Sequence, residues 1–244
     1  MPWVINDHGI THSEWAVLLT AGYYVPLPRD RFIPHAVWEV NNETVREAGH
    51  QVQLIDALGE AINQMREWGP CHWIGLTNEE IVERIDAENE IIGISNMFSH
   101  NWPMIRKLVM LLQERFPNIP LILGGEHATS LPEAILRESA VNVCALGEGE
   151  ETMLDLLDAH GGKKPLAEVE GIAFLDDEDK FVETPSRRRI CNVDDIPMPA
   201  WNLFNIKAYV DSSYVHGMQY KDAPPSNRVL LTAGGHIDRR RLEL

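Results

Sequence analysis

The chain has few cysteines, few basic residues and no long apolar run, and each shortage removes a class of function. Its three cysteines, Cys71, Cys144 and Cys191, lie far apart and form no CxxC pair. That excludes a disulfide framework and a zinc site and points to a reducing, cytoplasmic setting. Lysine and arginine number 21 against 37 acidic residues, for a formal net charge of −16. A surface of that sign repels nucleic-acid backbones and anionic membranes, so neither is expected as a partner. No apolar stretch approaches the ~18 residues of a membrane span, and no charged start with an apolar core marks an export signal. No GxGxxG follows the first strand-like segment and no GxxxxGK[ST] occurs, so the usual phosphate-cradling loops are missing.

What the sequence does contain is an alternation of apolar strands and amphipathic helices. Strand-like runs are WAVLLTAGYYV (15–25), QVQLIDA (51–57), EIIGISNMF (90–98), IPLILGG (119–125) and VNVCALG (141–147). They are rich in Val, Ile and Leu without polar alternation, as strands covered on both faces must be. Helical patterns occupy 36–49, 77–88, 102–116, 131–139 and 150–161, with a capping-box spacing at Thr77 and Glu80 and a stop at Gly49. The expected fold is α/β, a Rossmann-like, doubly wound parallel sheet of about five strands. Beyond residue 165 the text changes: 170–185 reads as a β-hairpin and IPMPAWNLF (196–204) as an extended segment.

Ligands of an open parallel sheet bind beyond the carboxyl ends of the strands. Three such ends carry unusual text: SNMFSHNW (95–102), GGEHATS (124–130) and GEGEET (147–152). Adjacent glycines cost chain entropy, so the Gly124-Gly125 pair implies a tight turn or a bulky group lying against bare main chain. Gly147 and Gly149 offer unshielded N–H groups ahead of a helix.

These segments resemble the cobalamin-binding domain of cobalamin-dependent radical-SAM enzymes of the methyltransferase and cyclase type. Ser95-Asn96-Met97 stands for that family's Ser-x-Leu turn, with Met replacing Leu at conserved volume, and Gly124-Gly125 for its glycine pair, with residues 98–123 between. GGEHATSLPEAIL, ALGEGEETMLDLL, VEGIAFL and DDIPMPAWNLF follow in the family's order, and the likeness spans roughly residues 45–232. The resemblance implies a cofactor-binding set of Ser95, Asn96, Met97, Phe98 and Ser99, then Gly124, Gly125, Glu126, His127, Ala128 and Thr129, then Gly147, Glu148, Gly149, Glu150 and Thr152. The serine would face the corrinoid's nucleotide tail, the glycines would admit its dimethylbenzimidazole between strand and helix, and residues 96–101 would neighbour the lower face.

Two departures shape the expectation. The Asp-x-His-x-x-Gly signature, whose histidine binds cobalt from below in other corrinoid domains, would fall near Val52 and Gln53, where nothing fits. The resemblance therefore implies cobalamin with its base displaced, no histidine on cobalt and no protein metal ligand. The family also continues from a strand like RVLLT into a three-cysteine motif holding the 4Fe-4S cluster that cleaves S-adenosylmethionine. Here LLTAGGHIDRRRLEL follows instead, so S-adenosylmethionine and the cluster are not supported in this chain, no catalytic residue is assigned, and catalysis is not expected of the chain alone.

The expected organisation is a cobalamin-binding domain over 1–165, a hairpin and linker over 166–227, and the truncated start of a radical-SAM domain over 228–244. The last fifteen or so residues are expected to pack loosely, with RVLLT poorly anchored or paired to the sheet edge. The functional expectation is the corrinoid-carrying part of a radical-SAM methyltransferase or cyclase system, whose radical partner is a separate subunit or a missing domain. The alternatives are a non-catalytic module that stores, senses or delivers cobalamin, and a degenerate fold without ligand. Among other residues, Asp56 suits a turn, Trp102 and Phe98 suit packing, Arg187 to Arg189 read as a solvated charge run, and His8, His12 and His35 lack metal-ligand spacing.

Overall fold

Strands apolar on both faces are stable only between two layers of helix, and the computed structural model builds that arrangement. It describes residues 14–19, 25–26, 41–68, 71–191, 196–197, 200–205, 207–208, 231–233 and 236–238. The elements run β1 (Glu14–Leu19), β2 (Val25–Pro26), α1 (Asn41–Glu47), β3 (Gln51–Asp56), β4 (Met65–Trp68), β5 (Cys71–Ile74), α2 (Asn78–Arg84), β6 (Ile91–Ser95) and α3 (Trp102–Arg115). They continue with β7 (Leu121–Gly124), α4 (Glu126–Ser130), α5 (Pro132–Glu138), β8 (Val143–Ala145), α6 (Glu150–His160), β9 (Ile172–Leu175), β10 (Phe181–Glu183), β11 (Leu231–Ala233) and β12 (His236–Asp238).

The main sheet has 7 strands in the order β10-β9-β8-β7-β6-β1-β3. Strands β3, β1, β6, β7 and β8 are mutually parallel, the five expected. The hairpin over 170–185 forms as β9 and β10, and it extends the same sheet antiparallel from β8. One face packs Ile92, Ile94, Leu121 and Leu123 against α2, α3 and α5, with Leu108, Val109 and Leu112 of α3 at most 1% exposed. Each such side chain contributes about 1.5–3 kcal/mol of burial. The other face packs Ile91, Ile122, Val143 and Ala145 against Val45 of α1 and Met153, Leu156 and Leu157 of α6.

Local signals explain the helix ends. Thr77 Oγ1 accepts from the N–H of Glu80, whose carboxylate accepts from the N–H of Thr77 at 2.7 Å, completing the capping box. The Gly49 N–H donates to Arg46 O as α1 stops. Asp56 makes the turn expected of it, accepting from the Gly59 N–H at 2.9 Å.

Four features depart from the expectations. A separate three-stranded sheet, β2-β5-β4, rises beyond the end of β3; its short strands were hidden because MREW and CHWI carry no long apolar run. The segment after Gly125 is already helical as α4. Strand β11 pairs with β12 in a sheet of its own, not with the main sheet's edge. Arg187 is not a solvated charge: its side chain is 14% exposed, its guanidinium pairs with Glu151 and Asp155, and its Nε donates to Thr152 Oγ1 at 3.1 Å. The remaining residues of the expected loose C-terminal tail, like His8, His12 and His35, lie outside the described residues.

Candidate functional site

The parallel register decides which side chains share a surface. Ser95 on β6 pairs with Gly124 on β7, and Gly93 with Ile122, so Gly93, Ser95 and Gly124 look onto the face covered by α1 and α6. Among the described residues, a Cβ added at Gly93 or at Gly124 would meet nothing within 4 Å. A strip of main chain on this face is therefore left bare in a layer that is otherwise packed. On the same side, where α1 meets the start of α6, a cavity of about 400 Å³ is lined by Thr44, Glu150, Glu151, Arg189, Ile190 and Pro197.

Gly125 has the other role a glycine can have. Its φ is +96°, and an added Cβ would lie 2.6 Å from the Asn96 carbonyl oxygen. The turn after β7 is thereby pressed onto the turn after β6. Two hydrogen bonds hold the contact: Asn96 N–H donates to Gly124 O at 2.9 Å, and His127 N–H to Asn96 O at 3.2 Å. Thr129 links the next loop, its hydroxyl donating to Gly125 O at 3.1 Å and accepting from the Gly147 N–H at 3.0 Å. The three segments expected to converge do so through these bonds.

Their side chains divide by burial. Ser99, Glu126, Thr129 and Gly147 are exposed; Met97, Phe98, Glu148, Gly149 and Glu150 are half-buried; Ser95, Asn96, His127, Ala128 and Thr152 are buried. Thr152 is sealed between α6 and the strap that follows β10, Pro185 to Cys191, donating to Glu148 O and accepting from Arg187. Phe98 stacks on His100 with centroids 5.5 Å apart, while Trp102 packs its indole 5.3 Å from the His127 ring. The Gly147 N–H is already bonded to Thr129, so it is not the free donor that the glycine-rich text suggested.

Among the described residues, several buried polar atoms have no partner: both amide atoms of Asn96, Oδ1 of Asn101, Nε2 of His127 and Oγ1 of Thr44. An unpaired donor among them costs about 1–3 kcal/mol and marks a place where water or a ligand group completes the structure, whereas an unused imidazole acceptor can stay bare. Burial holds the His127 imidazole below the usual histidine range, against the raising pull of Glu138, so it is neutral at pH 7. Burial, aided by the Glu148 and Glu151 carboxylates, pushes Glu150 up against the pull of backbone N–H groups. Cys144 is fully buried, with its thiol pushed up to about 12; it is inert core. No group of three or more metal-ligating side chains exists among the described residues, and among them no helix is long and apolar enough to cross a membrane.

Three parts of this site escaped the sequence reading: Gly93, Thr44 and the strap around Ile190. A lone glycine inside an apolar strand is the signal that could have found Gly93. Thr44 lies in an unremarkable helix, and the strap is placed by the Ile190 N–H donating to Glu148 Oε2 at 2.8 Å, a contact between distant segments.

Residues 39–157 match the model of the B12 binding domain. The chain is 32% identical over 197 residues to the anaerobic magnesium-protoporphyrin IX monomethyl ester cyclase of Synechocystis sp., covering 79% of this chain and 35% of that protein. It is 27% identical over 187 residues to the cytidylyl-2-hydroxyethylphosphonate methyltransferase of Streptomyces wedmorensis, covering 67% of this chain and 35% of that one. It thus spans about a third of these relatives. Its fold is that of the cobalamin-dependent S-adenosylmethionine radical enzyme OxsB with aqua-cobalamin bound, at a TM-score of 0.61 and 17% identity over 83% of this chain and 25% of OxsB. The radical S-adenosylmethionine methyltransferase TsrM of Kitasatospora setae aligns at 0.51 and 12% identity, over 81% of this chain and 37% of TsrM.

Proposed function

With residues 39–157 belonging to the B12-binding domain family, we propose that this chain holds cobalamin at the carboxyl edge of its parallel sheet, as the corrinoid-carrying part of a radical-SAM methyltransferase or cyclase. The base is displaced from cobalt and no histidine of the chain takes its place.

The observation that carries this reading is the bare strip over Gly93 and Gly124 beside the buried Ser95. Side chains would normally fill that layer. Its emptiness on the α1 and α6 face suits a flat aromatic group inserted between sheet and helix, and the unpartnered Oγ1 of Thr44 adds a polar contact on that side. The residues present therefore fit the group.

When bound, cobalamin supplies a cobalt centre able to carry a methyl group or to take part in radical rearrangement. The chain's own residues bind and orient. Gly93 and Gly124 leave room for the tail, Ser95 offers it a hydroxyl, and Gly125 with Asn96 fixes the spacing of the two loops. The segment Asn96–Ser99 with Glu126–Thr129, and Gly147–Glu150 across the sheet edge, form the rim; Thr152 supports that rim from behind. The relatives' substrates are a porphyrin ester and a cytidylylated phosphonate by name, and a radical-SAM partner domain or subunit would complete either kind of reaction here.

Gel filtration of the chain after incubation with hydroxocobalamin tests the proposal. Co-elution of the red chromophore at one equivalent is expected; a colourless protein peak would overturn it.

A further inference from the structure

Resting on that corrinoid reading, we infer that Ser99 and His127 work as a pair in which the buried imidazole turns the exposed serine hydroxyl outward, as a hydrogen-bond donor to a carboxamide oxygen of the corrin ring. Ser99 opens the 3-10 turn Ser99–Asn101 that follows β6, and it is exposed. His127 sits in the first turn of α4, 4% exposed, with Nδ1 2.9 Å from Ser99 Oγ.

The direction of that bond follows from the other ring nitrogen. Nε2 of His127 is sealed and has no partner among the described residues. A neutral imidazole carries a single N–H, and a buried N–H left unpaired is rarer than an unused acceptor. The proton therefore resides on Nδ1 and is donated to Ser99 Oγ. The serine's own hydrogen is then free to point away from the protein, and His127 is the partner the structure gives Ser99 among the described residues.

The imidazole cannot swing to another arrangement. Its backbone N–H is fixed to Asn96 O, its ring lies against Trp102, and Trp102 Nε1 is held by Glu138 Oε1. The stacked rings of Phe98 and His100 flank Ser99 on its own loop. The result is a single outward donor at the loop expected to neighbour the corrin, with its direction set before binding. An amide oxygen is an acceptor of matching neutrality, and the corrin periphery carries several. Ser99 is the binding residue and His127 the positioning residue.

Titration with hydroxocobalamin, followed by absorbance and by tryptophan fluorescence, tests the pair. Ser99→Ala is expected to weaken binding about 5-fold, the loss of one neutral hydrogen bond, and His127→Phe to weaken it comparably. The double variant should bind no more weakly than Ser99→Ala alone, and Ser99→Thr should stay within about twofold of the parent. Effects that multiply in the double variant, or a Ser99→Ala chain that binds like the parent, overturn the inference. Should His127→Phe fail to fold, the contrast between Ser99→Ala and Ser99→Thr decides alone, since Ser99 is exposed. A parent chain that takes up no corrinoid overturns the reading of the site, and the inference with it; a binding parent beside unaffected variants overturns the inference only.

Discussion

Glycines 93, 124 and 125 are one residue type with two opposite roles, and substitution separates them. Gly125→Ala places a Cβ against the Asn96 carbonyl at a φ of +96°. We expect it to destabilise the fold by about 2–3 kcal/mol from backbone strain and the forced loop shift, measured as a lower midpoint in urea. Gly93→Ala adds a Cβ that meets nothing within 4 Å among the described residues, so its midpoint should hold or rise while corrinoid uptake weakens; uptake at parental affinity by that variant would show that the strip is not the tail's slot. The doublet was legible in the sequence because two adjacent glycines after a strand are hard to explain by turn chemistry alone. Gly93 was not, because the register that sets Gly124 beside Ser95, and so on the same face as Gly93, exists only once β6 and β7 pair.

The buried histidines make a second prediction at this scale. His127 and His160 are both held below the usual histidine range, chiefly by burial. The unfolded chain therefore binds more protons than the folded one as pH falls through 6.5 toward the folded-state values, and stability declines over that window. Glu150, pushed up by burial, works in the opposite sense: its cost is felt above its folded value and is relieved as pH falls toward and below 4.5. Urea midpoints between pH 7.5 and 5.5 should fall with acidification, and the slope should be shallower in His127→Phe.

At the scale of elements, the strap from Pro185 to Cys191 is tied across α6 by few but strong contacts. Arg187 joins Thr152, Glu151 and Asp155, Lys164 adds a second pair to Asp155, and Glu148 accepts from Ile190. Burial raises the Asp155 carboxyl, but the bonds from Lys164 and Arg187 outweigh it and hold the group below the usual carboxylate range. Arg187→Met should cost about 1.5–3 kcal/mol, the range for hydrogen bonds to charged groups, and should expose the adjacent Arg188 and Arg189 to trypsin; unchanged proteolysis would mean that the strap is held elsewhere. Read as sequence, three consecutive arginines suggest solvent, since only the folded chain reveals that the first meets Asp155. The five parallel strands and their helices were legible because burial on both faces leaves an unbroken apolar run. The β2-β5-β4 sheet was not, since strands two to four residues long carry too little periodicity to read.

At the scale of the whole molecule, the chain spans about a third of the relatives it resembles, and on the proposed reading its own contribution is the state in which it would hold the cofactor. Electron paramagnetic resonance of the chain loaded with cobalamin and reduced to the cob(II) form tests that contribution most directly. The account predicts a spectrum distinct from that of the free cofactor, with cobalt hyperfine lines not further split by nitrogen. Triplet splitting of those lines, from the cofactor's own base or from a histidine, would contradict it.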